Sequence, residues 1–150
     1  MPNVRKSVIV GFTCEQMYSL VTDVRSYPEF IKSCTGSKVD QIHEDGYTAT
    51  LDFAYAGVKK NFTTRNTAVP HSEISMSLVS GPFKELNGHW KFTELGQNAC
   101  KVEFQLTYVF KSSLIEKVSA PLMKHISESM VSSFYEEAKR KYGGQSTDQY

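Results

Sequence analysis

The sequence predicts an α+β fold in which one antiparallel sheet of seven strands wraps around a long C-terminal helix. Three observations carry this. Apolar residues recur in steps of three and four through Leu114–Tyr142, at Ile115, Val118, Leu122, Ile126, Met130 and Phe134, which lays one stripe along a helix. Apolar and polar residues alternate over several separate runs, most cleanly at Cys100, Val102, Phe104, Leu106, Tyr108 and Phe110 against Lys101, Glu103, Gln105 and Thr107. Turn signals such as Glu44-Asp45-Gly46, Ala56-Gly57 and Gly96-Gln97-Asn98 separate those runs.

In order, Arg5–Phe12 reads as a first strand around Val8 and Val10. Thr13 is its exit and a helix N-cap, with Gln16 completing a capping box. Met17, Leu20 and Val21 face inward from that short helix. Asp23–Tyr27 breaks it, and Pro28 opens a second short helix to about Ser33, with Phe30 and Ile31 as apolar contacts. Strands follow at Ser37–His43, at Tyr47–Tyr55, from Val58 through Phe62 and Thr64, around Ile74, Met76 and Leu78, through Leu86, Gly88, Trp90 and Phe92, and at Cys100–Phe110. The last helix spans about 40 Å at 1.5 Å per residue, enough to cross a small domain. Pro121 either kinks it or opens its main segment, and Gly143-Gly144 reads as a stop after Lys139, Arg140 and Lys141. A sheet bent around that helix buries both apolar faces, the helix-grip arrangement.

A chain of 150 residues is expected to form a single domain, with a core over about 4–143 and a loose tail at 144–150. Its 17 basic and 16 acidic residues nearly cancel, which argues against bulk attraction to DNA. Cys14, Cys34 and Cys100 form no CxxC pair and point to a reduced, cytoplasmic setting. Neither a secretory signal nor a membrane span is read from the sequence.

The motifs resemble the polyketide cyclase/START-like (Bet v 1-like) superfamily, and within it the coenzyme Q-binding protein family, of the bacterial ribosome association toxin A type. The likeness covers about Val4 to Gly143. It rests on Met17-Tyr18, Leu20-Val21 and Asp23-Val24; Tyr27-Pro28-Glu29-Phe30 with Cys34; Phe62-Thr63-Thr64-Arg65-Asn66; Gly81-Pro82-Phe83 followed by Leu86 and Gly88-His89-Trp90; Cys100-Lys101-Val102; and Val131–Phe134 ending at Tyr142-Gly143. Ile31-Lys32-Ser33 departs from it, where many members carry an aromatic step. The resemblance implies a hydrophobic ligand, a prenylated quinone such as ubiquinone, in support of respiration. It also implies a second class of activity, binding of the large ribosomal subunit that blocks subunit association, and a third, polyketide cyclisation.

For the residues themselves, a binding reading is favoured over an enzymatic one. His43, His71, His89 and His125 have no metal-ligand spacing, and there is no Gly-rich phosphate loop, GxSxG elbow or HExxH pair. Glu94, near a strand end, has no second acid–base group beside it. No metal or resident cofactor is expected. The inward rows supply a candidate ligand lining of Leu51, Phe53, Phe62, Thr64, Met76, Leu78, Trp90, Phe104 and Leu106, facing Leu122, Ile126, Met130, Ser133 and Phe134 on the helix. Thr64, Asn66, Ser133 or Tyr108 would meet a polar head group. Ser129 and Ser133 interrupt the helix stripe: either they permit close helix–sheet approach with hydroxyls bonded to the preceding turn, or the helix roofs a cavity there. Arg65 is expected to pair with Asp52. Lys59 and Lys60, if they meet Lys139–Lys141, would form a basic patch for phosphates of ribosomal RNA or of a membrane surface, peripheral contact with an inner membrane included.

Overall fold

The computed structural model describes residues 3–147. Its strands are β1 (Asn3–Val10), β2 (Cys34–His43), β3 (Gly46–Tyr55), β4 (Val58–Val69), β5 (Glu73–Ser80), β6 (Phe83–Gly96) and β7 (Ala99–Phe110); its helices are α1 (Cys14–Thr22), α2 (Tyr27–Phe30) and α3 (Ser113–Thr147). The seven strands form one antiparallel sheet in the order β1-β7-β6-β5-β4-β3-β2, a meander whose last strand returns to pair with the first. Register shifts at Cys34/Gly36, Val39/Gln41, Thr63/Thr64, Phe83/Glu85 and Glu94/Gly96 mark bulges. Such bulges raise local twist and bend a strand, which lets the sheet curl.

Local chemistry explains the helix boundaries. Thr13 accepts from the Gln16 amide at 3.0 Å, and Gln16 returns the bond to the Thr13 amide at 2.9 Å, closing the expected capping box. Ser112 caps α3 by accepting from the Ile115 amide at 3.1 Å. Pro121 lies inside α3 on its exposed side, where the carbonyl that loses its donor can turn to water.

The expected stop at Gly143-Gly144 does not occur. A glycine weakens a helix by about 1 kcal/mol but ends one only where it turns left-handed. Both glycines here remain helical, and α3 runs on to Thr147. The rest of the expected tail, 148–150, lies outside the described residues.

The buried face of α3 is also wider than the expected stripe. Ser119, Met123, Ser127, Val131 and Ala138 are buried along with Leu122, Ile126, Met130 and Phe134, whereas Val118 is 45 % exposed. A curled sheet touches nearly half the circumference of the helix, so residues about 100° off the stripe are covered as well. Every second residue of β7 from Cys100 to Phe110 is buried, which confirms the inward row read from the sequence.

A cavity under the long helix

Between the concave sheet face and α3 lies a cavity of about 60 Å³, room for a handful of water molecules. Strands β3 to β7 furnish most of its wall, and Met123, Ile126 and Met130 of α3 form its roof. Ten of the fourteen expected residues line it: Leu51 and Phe53 from β3, Phe62 and Thr64 from β4, Met76 from β5, Trp90 from β6, Phe104 and Leu106 from β7, and Ile126 and Met130 from α3.

Four expected residues do not line it, each for a local reason. Phe134 is 1 % exposed but is held among rings, with centroids 5.3 Å from those of Trp90, Tyr27 and Phe30; it props the Trp90 wall from behind. Leu122 is consumed by core packing. Leu78 lies past Ser77, the last β5 residue paired to β6, and is only half-buried. Ser133 faces an outer groove beside Phe30–Ser33 together with Ser129. The Ser129 hydroxyl donates to the His125 carbonyl at 2.7 Å, so the bonding to the preceding turn is the account that holds for it. The small polar residues buried on the helix face are instead Ser119 and Ser127, and the Ser119 hydroxyl has no hydrogen-bond partner among the described residues.

Sequence reasoning missed Val21, Val24 and Tyr27, which close one wall from α1, the following 3-10 turn and α2, and Tyr47, Ala49, Ile74, Leu86 and Met123. For Tyr47, Ala49, Ile74 and Leu86 the signal was present, since all four belong to inward alternating rows. Nothing in the sequence announces that Asp23–Ser26 folds the chain back over the sheet mouth.

The lining is apolar except at one place. Thr64 and Asn66 are 7 % and 3 % exposed and share a bond in which the Thr64 hydroxyl donates to Asn66 Oδ1 at 3.2 Å. Asn66 Nδ2 donates to the Tyr47 and Thr64 carbonyls at 3.3 and 3.2 Å. One lone pair on Asn66 Oδ1 and the acceptor side of Thr64 are left for a ligand. Gly46 makes this possible: a Cβ there would lie 1.8 Å from the Asn66 carbonyl oxygen. The Tyr47 hydroxyl, across the β3–β4 ladder from Asn66, has no hydrogen-bond partner among the described residues. Burial, with a smaller push from Tyr18, holds the Tyr47 phenol well above its ordinary range, so it is a donor at neutral pH and not a base. Tyr27, raised by burial above all, spends its hydroxyl on the Val21 carbonyl. Tyr108, another head-group candidate, lies outside the cavity; its phenol is raised mainly by burial, and its hydroxyl approaches Ser127 without closing a good hydrogen bond.

Among the described residues no carboxylate, histidine, lysine or arginine lines the cavity. Glu94 is exposed, and among the described residues no three of His, Cys, Asp and Glu gather as a metal would require. Phe53 is shared between the cavity and an outer groove formed by Lys59, Lys60, Asn61, Lys111 and Ile115, so its ring stands between interior and surface.

Two electrostatic expectations are corrected. Arg65 pairs with Asp45 at 2.8 Å rather than Asp52. In the β3–β4 register Asp52 faces Asn61, four residues away, while Arg65 faces Thr48 close to the turn that carries Asp45. Lys59 and Lys60 of β4 lie beside the first turn of α3, whereas Lys139 and Arg140, near its far end, are bound to Glu136 at 3.0 Å and Glu137 at 2.6 Å. The basic patch expected from their union does not form.

A curled antiparallel sheet closed by one helix over an apolar cavity defines a helix-grip binding fold. The chain belongs to the polyketide cyclase/dehydrase and lipid transport family, whose pattern it matches over residues 10–135. It is 44 % identical to the ribosome association toxin RatA of Vibrio cholerae over 143 residues, covering 95 % of this chain and 99 % of that one. It is 28 % identical to the mitochondrial coenzyme Q-binding protein COQ10 homolog B of Xenopus laevis, covering 93 % of this chain and 59 % of that one. The crystal structure of the Zhui aromatase/cyclase from a Streptomyces species superposes with a TM-score of 0.82 over 95 % of this chain and 98 % of that one, at 13 % identity, a likeness of fold.

Proposed function

We propose that the cavity binds an apolar ligand with a small polar head, a prenylated quinone such as ubiquinone, and that the chain works by holding this ligand rather than by transforming it. The observation that carries the reading is an apolar, aromatic and methionine-rich lining with a single polar spot at Thr64, Asn66 and Tyr47. Aromatic faces suit a flat ring, and thioethers adapt to an irregular tail. A quinone carbonyl would take the Tyr47 hydroxyl. The lack of a carboxylate or histidine in the lining supports binding over cyclisation, because the phenols present are held protonated. Pockets for drug-sized ligands run to about 300 Å³ or more, so loading requires the lining to move apart. The name of the Xenopus relative supports the choice of quinone. Leu114 and Val118, exposed on the outer side of α3 beside Lys111 and Lys117, give a face for transient contact with a membrane holding such a ligand. Among the described residues no helix is long and apolar enough to cross a membrane. Organic extraction of the protein purified from quinone-producing cells, followed by mass spectrometry, tests the reading: prenylated quinone should be recovered in near-stoichiometric amount, and its absence refutes the assignment.

A second activity, association with the large ribosomal subunit, is favoured by the identity to RatA and by an outer groove between β1 and α3. Arg5, Lys6, Lys117 and Lys124 line that groove with one acid, Glu128, and none of the four cations is in an ion pair among the described residues. Such a groove suits RNA phosphates. Added protein should deplete assembled ribosomes on a sucrose gradient, and Lys117→Glu with Lys124→Glu should abolish the effect; an unchanged profile with the unaltered protein removes this reading.

A further inference from the structure

Two thiols outside the cavity lie against each other. Cys14 opens α1 and Cys100 stands at the start of β7, 86 positions apart, yet their Sγ atoms are 2.8 Å apart. The backbone arranges this meeting. Val10 pairs with Cys100 in the β1–β7 ladder, and the chain turns through Gly11–Thr13 so that α1 starts over the same end of β7. The two sulfurs differ in access. Cys100 is fully buried, and burial, reinforced by Cys14, pushes its thiol up to about 12. Cys14 is partly exposed and is the one a small oxidant reaches. The third thiol, Cys34, is buried on β2 at the opposite edge of the sheet, where it donates to the Gly36 carbonyl at 3.3 Å.

We propose that Cys14 and Cys100 form an oxidation site, which a peroxide converts to an intramolecular disulfide that pins α1 to β7. The Cys14 sulfur attacks one peroxide oxygen and becomes a sulfenic acid, the second oxygen leaving as water. The Cys100 sulfur then displaces the new hydroxyl, which leaves as water with the Cys100 proton. Two thiols are oxidised by two electrons, and one peroxide is reduced to two waters. Sulfurs already at 2.8 Å need less than about 1 Å of further approach to reach the disulfide separation of about 2.05 Å. The site bears on the cavity because α1 leads into Val21, Val24 and Tyr27, the wall that lies outside the β-ladder. That consequence rests on the ligand-binding reading: with α1 pinned, the wall opens less readily and ligand exchange slows.

The test treats the full chain with hydrogen peroxide, removes the oxidant, alkylates the remaining thiols in denaturant so that the buried ones react, and reads intact mass and non-reduced peptides. The expected product is lighter by two hydrogens before alkylation, keeps one alkylatable thiol at Cys34, contains a linked Cys14–Cys100 peptide, and reverts with dithiothreitol. Cys14→Ser, conservative at a partly exposed position, should lose no hydrogens and leave Cys100 reduced. Three alkylatable thiols after oxidation, stable oxygen addition at Cys14, or a bridge through Cys34 would each overturn the proposal. Amide hydrogen exchange across α1 supplies the second readout: it should slow several-fold in the oxidised protein, and equal rates in the two forms refute the clamp. Both measurements are made without ligand, so they stand whatever the quinone extraction finds.

Discussion

Filling the cavity separates a ligand site from a packing gap, and Ala49→Leu is the substitution that does it. Ala49 is 3 % exposed, lines the cavity from β3, and faces Thr64 across the ladder, so a larger side chain there projects over the polar spot. The change adds three carbons, worth about 0.8 kcal/mol each when buried, or roughly 2.4 kcal/mol in all. Overpacking a tight interior costs about 1–3 kcal/mol, so the two terms nearly cancel. The variant should therefore unfold in urea within about 1.5 kcal/mol of the parent protein. Ligand affinity should nevertheless fall at least about tenfold, the equivalent of 1.4 kcal/mol, because the added carbons occupy the ligand's place. The assay is titration with a short-chain prenylated quinone, followed by the fluorescence of Trp90, the single tryptophan and itself a wall residue. A variant of normal stability that binds the quinone with unchanged affinity would refute the reasoning and move the ligand to one of the outer grooves.

Other perturbations probe the frame around the cavity. Ser119→Ala removes a buried hydroxyl with no hydrogen-bond partner among the described residues, so it should raise the urea midpoint by an amount worth about 1 kcal/mol; a lower midpoint would mean the hydroxyl is bonded after all. Gly46→Ala and Gly88→Ala should differ. A Cβ at Gly46 meets the Asn66 carbonyl oxygen at 1.8 Å, a backbone atom that cannot yield, whereas one at Gly88 meets the mobile end of Met76 at 2.3 Å. Denaturation should show about 3 kcal/mol or more lost at Gly46 and about 1 kcal/mol at Gly88, and equal losses would refute the distinction. Glu137 is held below the ordinary carboxylate range chiefly by its hydrogen bonds from Arg140, at 2.7 and 2.6 Å. A depressed folded-state pKa contributes stability that is present above the unfolded value of about 4.3 and is lost as pH falls through the folded value. The stability gap between the parent protein and Glu137→Gln should thus narrow on acidification below about pH 4, and a gap independent of pH would refute the pairing.

Periodicity made the sheet legible because each strand has one wet face, and Cys100–Phe110 declares its inward row without help from its neighbours. The same logic placed ten of the lining residues, since an inward row on a curled sheet points at the helix wherever the curl is deepest. It failed where the answer depends on curvature. Helical spacing located a stripe through Ile126 and Met130, but the width of the covered arc is set by how far the sheet wraps, and Met123 and Val131 lie in that extra arc. Ser129 and Ser119 look alike in sequence, yet one bonds its own helix at the margin and the other is sealed beneath it. The Arg65 partner depended on register, which a turn of Glu44-Asp45-Gly46 fixes only when the pairing across it is known. The two cysteines that touch are 86 positions apart in the sequence, and no local pattern joins them.

The small size of the cavity locates the moving part. Strands β3 to β7 are tied edge to edge by antiparallel ladders, and α3 packs across them, with the Tyr142 ring near its end 6.1 Å from Phe12. Spreading the strands would break several backbone bonds at once, and lifting α3 would expose the apolar face that Leu122, Ile126 and Phe134 bury. The segment 14–31 meets the cavity through Val21, Val24 and Tyr27 and belongs to no ladder. The Tyr27 hydroxyl on the Val21 carbonyl is internal to it, and its ties to β2 are the Ser37 hydroxyl donating to the Val24 carbonyl at 2.8 Å and the Cys34 amide donating to the Ile31 carbonyl at 2.9 Å. Local opening is cheapest where apolar contacts can part and few backbone donors and acceptors lose a partner. Displacement of that segment is therefore the least costly way to enlarge the site, and a constraint at Cys14 acts on the element that must yield.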